Sequence, residues 1–362
     1  MVRLFKKPIF AILAGLIGAL PPSSAHAARG IEDVGSGLTA PAPAVRSSGI
    51  VPPAATAQRG PMITAAEAEK RRLARMTGAK SWGYQLNGIS LEELEKSTYD
   101  VLVLDATTGL ASGQPFTPEQ VARLKRKPDG STRTVVSYLS IGEAEDYRPD
   151  YFDAEYMSED APDWLMQENP QWKGNRIIRF CAEGWQLTIL GDADGRNLYN
   201  SIEASPLYKL IEAGFDGVYL DRVDVYSEIT SECADSRNKM IEFVARLAAH
   251  ARKASPEFLV ILQNAEELLA SPKMVKTIDA VAKESLFYGE DMSQRANNPK
   301  SVADTVENLK LAQKAGRGVF VIDYITTKAT ALEAKRKIEA QGFVPYVGPR
   351  NLGQMWYPGQ HF

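Results

Sequence analysis

Two acidic residues end strand-like stretches at distant points of the chain. In GFDGVYLDRVDVY an apolar run stops at Asp221, and in DAVAKESLFYG a similar run stops at Glu284. Because side chains alternate between the two faces of a strand, Asp221 shares a face with Tyr219, and Glu284 with Ala280 and Ala282. Two carboxyl groups that face each other can cleave a glycosidic bond. One protonates the leaving oxygen, and the other attacks the sugar carbon or activates water.

Each acid also has an ordinary structural alternative. Aspartate is a favoured helix N-cap, so Asp221 can cap the helix that follows it. Glutamate is not a favoured cap, but Glu284 can serve in a structural ion pair. Both acids stand at strand ends, and tyrosines and an asparagine stand at neighbouring strand ends. This arrangement favours the catalytic interpretation.

Other chemistries lack the residues they need. The chain has three histidines, His26, His250 and His361, and none follows a predicted strand. A Ser-His-Asp triad would therefore lack its base, and a zinc site would lack histidine ligands. Since no glycine-rich nucleotide loop follows an early strand, we predict no metal and no cofactor.

The body of the chain alternates strand-like and helix-like segments. The predicted strands are Ser81–Leu86, Val101–Asp105, Thr134–Ser140, Arg176–Phe180, Gly217–Asp221, Phe258–Gln263, Ala280–Glu284 and Val319–Asp323. Helices are predicted at 64–77, Pro118–Lys127, Ser205–Ala213, Asp235–Ala254 and Val302–Lys314. This alternation predicts an α/β fold, a single (β/α)8 TIM barrel. The strand-like Phe343–Val347 can close the barrel instead, in which case Arg176–Phe180 belongs to an excursion.

In such a barrel the chemistry lies at the carboxyl ends of the strands. Polar and aromatic side chains stand at or near nearly every predicted strand end, and those that we single out besides the two acids are Tyr84, Asp105, Tyr138, Glu143, Asp224, Asn264, Tyr288 and Asp323. The acids among them would make the mouth of the barrel negative and attract a cationic chain. The tyrosines offer flat apolar faces for sugar rings.

The N-terminal segments differ from the body. Residues 1–27 combine lysines and an arginine, a short apolar run and a small-residue cleavage site, which predicts a signal peptide. Residues 28–63, rich in Ala and Pro, form a predicted disordered linker, and 64–362 the barrel domain. The apolar run is short for a membrane span, and no later run is long enough. We therefore predict an exported protein, periplasmic or extracellular, without a stable membrane span.

The net charge bears on nucleic-acid binding, and the cysteines bear on disulfide formation. The formal net charge is −3, which gives no support for nucleic-acid binding. The two cysteines, Cys181 and Cys233, lie in a chain predicted to enter a compartment that permits disulfides. Whether they pair stays open at this point, because sequence alone does not give the distance between their Cα atoms.

Several motifs together resemble glycoside hydrolase family 114, the endo-α-1,4-polygalactosaminidase-like proteins. They occur in order over about residues 80–350, and they read SWGYQL, SYLSIGEAEDYRPDYF, GFDGVYLDRVDVY, QNAEELL, KESLFYG, VFVIDY and GFVPYVGPRNL. The resemblance is to the bacterial branch of the family. It implies a (β/α)8 barrel and endo-hydrolysis of an α-1,4-linked galactosamine polymer of exopolysaccharide.

The resemblance also implies roles for matching residues. Asp221 and Glu284 match the catalytic pair, the same two acids that strand alternation selects. By the same resemblance, the substrate-binding positions are Glu143, Asp224, Asn264 and Tyr288. The implied partner is a polysaccharide or oligosaccharide, a cationic amino sugar. Arg222 stands where better-known members have a polar neutral residue, and alternation predicts that it turns outward.

A second function fits the same residues. A barrel of this kind can bind carbohydrate without cleaving it, as a non-catalytic carbohydrate-binding protein. Release of reducing ends from a polysaccharide distinguishes the enzyme from the binding protein.

Overall fold

The computed structural model describes residues 63–361, except 110–112, 149–160, 193–194 and 197–203. The predicted signal peptide and all of the predicted linker except Ile63 lie outside the described residues. Within the described part of the chain, no helix is both long enough and apolar enough to cross a membrane.

Eight parallel strands form one sheet. They are β1 (Trp82–Gln85), β2 (Val101–Leu104), β3 (Thr134–Ser140), β7 (Gly217–Asp221), β8 (Leu259–Gln263), β9 (Ala280–Glu284), β10 (Gly318–Asp323) and β11 (Val344–Val347). They pair in this order from β1 to β11. The two end strands also meet, since the indole Nε1 of Trp82 donates a hydrogen bond to the carbonyl of Val344 at 3.1 Å. The sheet is thus a nearly closed barrel, as predicted.

The strand count that the sequence left open is now settled. Val344–Val347 is the last barrel strand, and residues 176–178 belong to an excursion between β3 and β7. In the excursion, three short strands form an antiparallel sheet, namely β4 (Glu143–Glu145), β5 (Leu165–Glu168) and β6 (Asn175–Ile178). It lies at the carboxyl end of β3, the end at which a barrel of this kind places its chemistry.

Helices cover the outside of the barrel. They are α1 (Ala65–Gly78), α2 (Leu91–Lys96), α3 (Pro118–Leu124), α4 (Glu183–Leu190), α5 (Pro206–Glu212), α6 (Ser236–Ala254), α7 (Pro272–Thr277), α8 (Pro299–Lys314) and α9 (Lys328–Ala340). Helices α3, α5 and α8 each begin with proline directly after a capping residue, Thr117, Ser205 and Asn298, whose side chain accepts a backbone N–H. This pattern fixes the start of a helix because proline needs no donor there.

Helix α1 packs across the amino-terminal end of the barrel. The Nε of Arg72 donates to Oδ1 of Asp279 at 3.0 Å, and Arg252 donates to Oδ2 at 2.7 Å. The same carboxylate accepts the backbone N–H of Val260 at 2.9 Å. Asp279 is 1% exposed, so these charge-assisted bonds form in a largely dry setting and tie α1 to the starts of β8 and β9.

Cys181 and Cys233 form a disulfide, with their Cα atoms 6.2 Å apart. Cys181 precedes α4, and Cys233 lies between β7 and α6. The bond therefore holds the excursion against the loop that follows the strand bearing Asp221.

The buried ion pair of α1 leads to a test of stability. Arg72→Ala leaves Asp279 with one guanidinium partner instead of two, in a site that excludes water. We expect the free energy of unfolding to fall by about 3 kcal/mol, as measured by chemical denaturation. Arg71→Ala is the matched control, because Arg71 pairs with Glu67 and Glu257 at the surface, where such pairs contribute about 0–1 kcal/mol. Equal losses for the two variants would contradict this role for Arg72.

Candidate active site

Asp221 and Glu284 both point into the barrel. Tyr219 and Tyr84 lie on strands that are not neighbours, yet their ring centroids are 5.0 Å apart, so both rings are inside. Asp221 is two residues beyond Tyr219 and shares its face. Glu284 pairs in register with Ile322, two residues beyond Phe320, which packs on Trp82 of the same interior. The inward orientation that alternation predicts for the two acids agrees with this register.

An aromatic layer fills the barrel beneath the two acids. The indole of Trp82 packs against the rings of Tyr84, Tyr219, Phe320 and Tyr346, at centroid distances of 5.6–6.3 Å. All five side chains are at most 1% exposed. Such a layer excludes water from below, so the carboxyl groups above it lie in a region of low dielectric constant.

The partners of Asp221 come from β3 and the excursion. The hydroxyl of Tyr138 donates to Oδ2 of Asp221 at 2.6 Å and also lies 3.3 Å from Oε1 of Glu145. Burial, together with the charge of Glu284, raises the pKa of Asp221 to about 8, while the bond from Tyr138 opposes the shift. Asp221 is only 7% exposed.

Glu284 is held from the neighbouring strands on both sides. The hydroxyl of Tyr324, just after β10, donates to Oε1. From the end of β8, the amide of Asn264 donates to Oε2 at 3.3 Å and accepts the backbone N–H of Glu284 at 3.1 Å. Burial raises the pKa of Glu284, and Tyr324, Arg350, Gln263 and Asn264 act against that shift. Asn264 is thus a positioning residue for Glu284 in this structure.

The charge of Glu284 acts on Asp221. The two acids lie on β7 and β9 with only β8 between them, and the charge of Glu284 raises the pKa of Asp221. Burial also raises the pKa of the phenols of Tyr84, Tyr138, Tyr219 and Tyr324, so these remain hydrogen-bond donors at neutral pH.

Backbone strain is concentrated where these strands end. Arg222 follows Asp221, Asn264 follows the last residue of β8, and Ser285 follows Glu284, with φ of 56°, 54° and 51°. Left-handed backbone at a residue other than glycine costs of order 1 kcal/mol each, and it tends to persist at functional sites. Three such residues at adjacent strand ends turn the chain sharply away, leaving the acids at the mouth.

Arg222 does not turn outward, contrary to the expectation from strand alternation. Its Nε lies 2.7 Å from Oε1 of Glu143, and its other nitrogens contact Asp224 at 3.4 Å and Glu228 at 3.0 Å. The prediction was wrong because alternation requires extended backbone, whereas Arg222 is left-handed. Gly142 makes room for this turn, since a Cβ there would lie 2.1 Å from the carbonyl oxygen of Arg222.

Glu143 and Asp224 lie beside the pair but already have partners. Glu143, at 2% exposure, accepts bonds from the amides of Asn169 at 2.7 Å and Asn175 at 3.0 Å, as well as the ion pair with Arg222. These contacts fasten the excursion to the end of β7. Burial raises the pKa of Asp224, while Arg222 opposes that shift.

Asp105 is also internal and fully buried. Its carboxylate forms a two-point ion pair with Arg148 and accepts the backbone N–H of Thr107 at 2.9 Å. Arg148 also pairs with Glu145 and lies over the ring of Tyr138, 5.5 Å from its centroid. Asp105 therefore acts on the pair through Arg148, Glu145 and Tyr138 rather than by facing the opening.

Two of the predicted residues lie away from the opening. Asp323 is on the outer face of β10, fully buried, and its carboxylate accepts the backbone N–H of Phe287 at 3.1 Å. Tyr288 packs against α9, where Lys337 donates to its hydroxyl at 2.8 Å. Both side chains stabilise the connection after β9.

Arg148 and Arg350 are the groups near the pair that the analysis of the sequence missed. Both lie within motifs that resemble the family, Arg148 in EDYRPDYF and Arg350 in YVGPRNL. These motifs could have pointed to the two arginines, whereas the ends of the predicted strands did not. As for metals, no group of three or more His, Cys, Asp and Glu side chains in the described ranges could hold an ion.

Comparison with known proteins identifies the family to which this chain belongs. The sequence profile of glycoside-hydrolase family GH114 matches residues 63–360. An uncharacterised protein of Deinococcus radiodurans is 30% identical over 312 residues, covering 83% of this chain and 91% of its own. An uncharacterised protein of Methanocaldococcus jannaschii is 29% identical over 280 residues, covering 74% of each chain.

Two solved structures share the fold. The glycoside hydrolase domain of PelA from Pseudomonas aeruginosa superposes with a TM-score of 0.57 at 21% identity, covering 76% of this chain and 97% of its own. Ega3 of Aspergillus fumigatus, in a complex with galactosamine, gives 0.54 at 18% identity, covering 77% and 95%. With the profile matched across almost the whole barrel, the chain belongs to glycoside-hydrolase family GH114.

Proposed function

We propose that this protein is an exported endo-acting glycosidase that hydrolyses an α-1,4-linked, galactosamine-type polysaccharide, with Asp221 and Glu284 as its catalytic residues. Membership of the family supports a glycoside hydrolase. The observation that carries the proposal further is the desolvated pair of carboxyl groups, each hydrogen-bonded by a tyrosine, at the carboxyl ends of β7 and β9. Neither carboxyl group needs a metal to act.

The proposed reaction proceeds in two displacements. Asp221 attacks the anomeric carbon, while Glu284 gives its proton to the glycosidic oxygen and the leaving sugar departs as an alcohol. Glu284, now ionised, takes a proton from water, and the oxygen of that water displaces Asp221 from the sugar. The proton returns to Glu284 and the carboxylate of Asp221 is restored, so the configuration at the anomeric carbon is retained.

The first displacement needs Asp221 ionised and Glu284 protonated. Burial and the charge of Glu284 raise the pKa of Asp221 to about 8, so Asp221 itself tends to keep a proton at neutral pH before substrate binds. An ammonium group of the substrate close to Asp221 would favour its ionised form and leave the proton on Glu284. A cationic sugar thus suits the protonation state that the reaction requires.

The charge around the pair also favours a cationic sugar. Five carboxylates lie in the two ion-pair clusters beside it, against the guanidinium groups of Arg148 and Arg222. The excess of negative charge attracts a cationic polymer, although less strongly than the acids alone would. Ega3, which shares the fold, is described in complex with galactosamine. Asp323 and Tyr288 are left out of the proposed substrate contacts, because they face outward from the barrel interior.

Removing either carboxyl group tests the catalytic assignment. We expect Asp221→Asn and Glu284→Gln each to lower the release of reducing ends from galactosamine oligomers by about 10²-fold or more. Glu242→Gln, which removes a carboxylate from the surface of α6, is the control and should retain full activity. Undiminished hydrolysis by either catalytic variant refutes the assignment. Tight binding of the polymer by the wild-type protein without release of ends supports the non-catalytic alternative.

The stereochemical course tests the two-step mechanism. We expect the first-formed product to have the α configuration of its substrate, as followed by ¹H NMR of the anomeric proton early in the reaction. Retention requires the carboxyl groups to be about 5–5.5 Å apart, close enough for direct attack. A first-formed β product would mean inversion, with Asp221 activating water instead.

The raised pKa of Asp221 has a consequence for stability. Between its usual pKa near 4 and about 8, the unfolded chain has lost this proton while the folded protein keeps it, so the contribution of Asp221 to stability falls as pH rises through that range. We expect Asp221→Asn to melt at a higher temperature than wild type at pH 8, with the difference shrinking towards pH 4. A difference in melting temperature that does not depend on pH would show that Asp221 titrates normally.

A further inference from the structure

Arg350 lies beside the groups that hold Glu284, although it is 66 positions away along the chain. It follows β11, and its guanidinium carbon lies 4.4 Å from the centroid of the Tyr324 ring. Its Nη2 donates to Oγ of Ser285 at 3.2 Å and to the carbonyl of Gly289 at 2.9 Å. The planar fork of arginine allows both the stacking and the hydrogen bonds, which the single ammonium of lysine does not.

Two of the residues that Arg350 contacts, Tyr324 and Ser285, bear directly on Glu284. Tyr324 donates its hydroxyl proton to Oε1 of Glu284. Ser285 is the next residue, in left-handed backbone with φ of 51°, and its N–H donates to the carbonyl of Ile322 at 2.8 Å. Arg350 therefore supports Glu284 through its hydrogen-bond donor and through the strained turn that aims it.

We propose that Arg350 is a positioning residue for Glu284, fixing the orientation of its carboxyl group through Tyr324 and Ser285 and supplying the positive charge that lets it give up its proton. This rests on the proposed function, in which Glu284 is the acid and base. Arg350 touches no reacting atom in this scheme, and it acts through its contacts with Tyr324 and Ser285 and through its charge.

The chemistry of a general acid explains why such a charge is needed. Burial alone would hold the proton on Glu284 too tightly, since an efficient acid has a pKa near the working pH. The positive charge of Arg350 lowers the pKa of Glu284 and so acts against burial. On the other side of the pair, Arg148 lies over Tyr138 in a similar way and is ion-paired with Asp105 and Glu145.

Several other groups face Glu284 and must be kept constant in any test. From the strands and turns around it, they are Tyr84, Tyr219, Asp221, Gln263, Asn264 and Tyr324. Arg350 is the cation among the groups that shift the pKa of Glu284. The hydrogen bonds that lower the pKa of Glu284 come from Tyr324, Gln263 and Asn264, so removal of Arg350 changes the local charge and leaves these donors in place.

Two substitutions separate charge from geometry. Arg350→Gln removes the charge, and we expect the titration of Glu284 to move upward by about one pH unit. The alkaline limb of the kcat profile should move with it, and kcat should fall by about tenfold while KM changes little, because the contact is with the acid and not with the sugar. Arg350→Lys keeps the charge but loses the fork, so kcat should fall while the titration stays near that of wild type.

The direct test uses infrared difference spectroscopy of the full-length protein, without substrate, over a pH series. The carbonyl band of protonated Glu284 is identified by its absence in Glu284→Gln. We expect this band to persist to higher pH in Arg350→Gln than in wild type, and Arg246→Gln, a surface arginine of α6 paired with Glu183, to leave it unchanged. An unmoved band in Arg350→Gln overturns the proposal.

The readout also separates this proposal from the proposed function. A shifted band in a protein that cleaves no galactosamine polymer supports the role of Arg350 in holding Glu284, while the assigned activity fails. If Arg350→Gln does not fold, Arg350→Lys decides: a fall in kcat with an unchanged band supports the proposal, and full kcat overturns it.

Discussion

The site depends on one unfavourable arrangement, two carboxyl groups buried at the same end of the barrel, on strands separated only by β8. Asp221 and Glu284 are less than a tenth exposed, and the charge of Glu284 disfavours the ionisation of Asp221. Burying an unpaired charge is costly, and a protein avoids that cost by retaining a proton. In the proposed mechanism, a proton on one member of the pair and not on the other provides the acid and the base that the reaction needs.

The surrounding structure keeps this pair in place. The aromatic layer beneath closes the barrel to water, and Tyr138 and Tyr324 each donate to one of the acids. Arginines outside the pair tie these donors to the rest of the fold, with Arg148 over Tyr138 and Arg350 over Tyr324. Since the excursion also reaches the end of β7 through Glu143 and Arg222, the site is assembled from distant parts of the chain.

Part of this could be read from the sequence. Alternation along a strand is a local property, so it correctly placed Tyr219 on one face of β7 and the residues of β9 that share a face with Glu284. The barrel followed from the order of strands and helices. Asp323 could have been set aside by the same rule, because its neighbours Ile322 and Tyr324 occupy the interior face.

Other features of the site could not be predicted from the sequence, because they depend on contacts between residues that are distant along the chain. Asp105 and Glu143 were read as acids open to substrate, but Arg148, Arg222 and two asparagines of the excursion occupy them. No local sequence pattern indicates that an arginine or asparagine from a distant segment pairs with an acid at a strand end. Arg222 was misjudged because a single left-handed residue ends the alternation, and its φ is set by the turn that Gly142 and the excursion allow.

The most direct test is a crystal structure of the Glu284→Gln variant with a galactosamine oligomer long enough to span the opening. We expect a glycosidic oxygen within hydrogen-bonding distance of the amide at position 284, with the adjoining anomeric carbon facing a carboxylate oxygen of Asp221. An oligomer that binds away from the mouth of the barrel, or that lies across it without bringing a linkage between these two side chains, would contradict it.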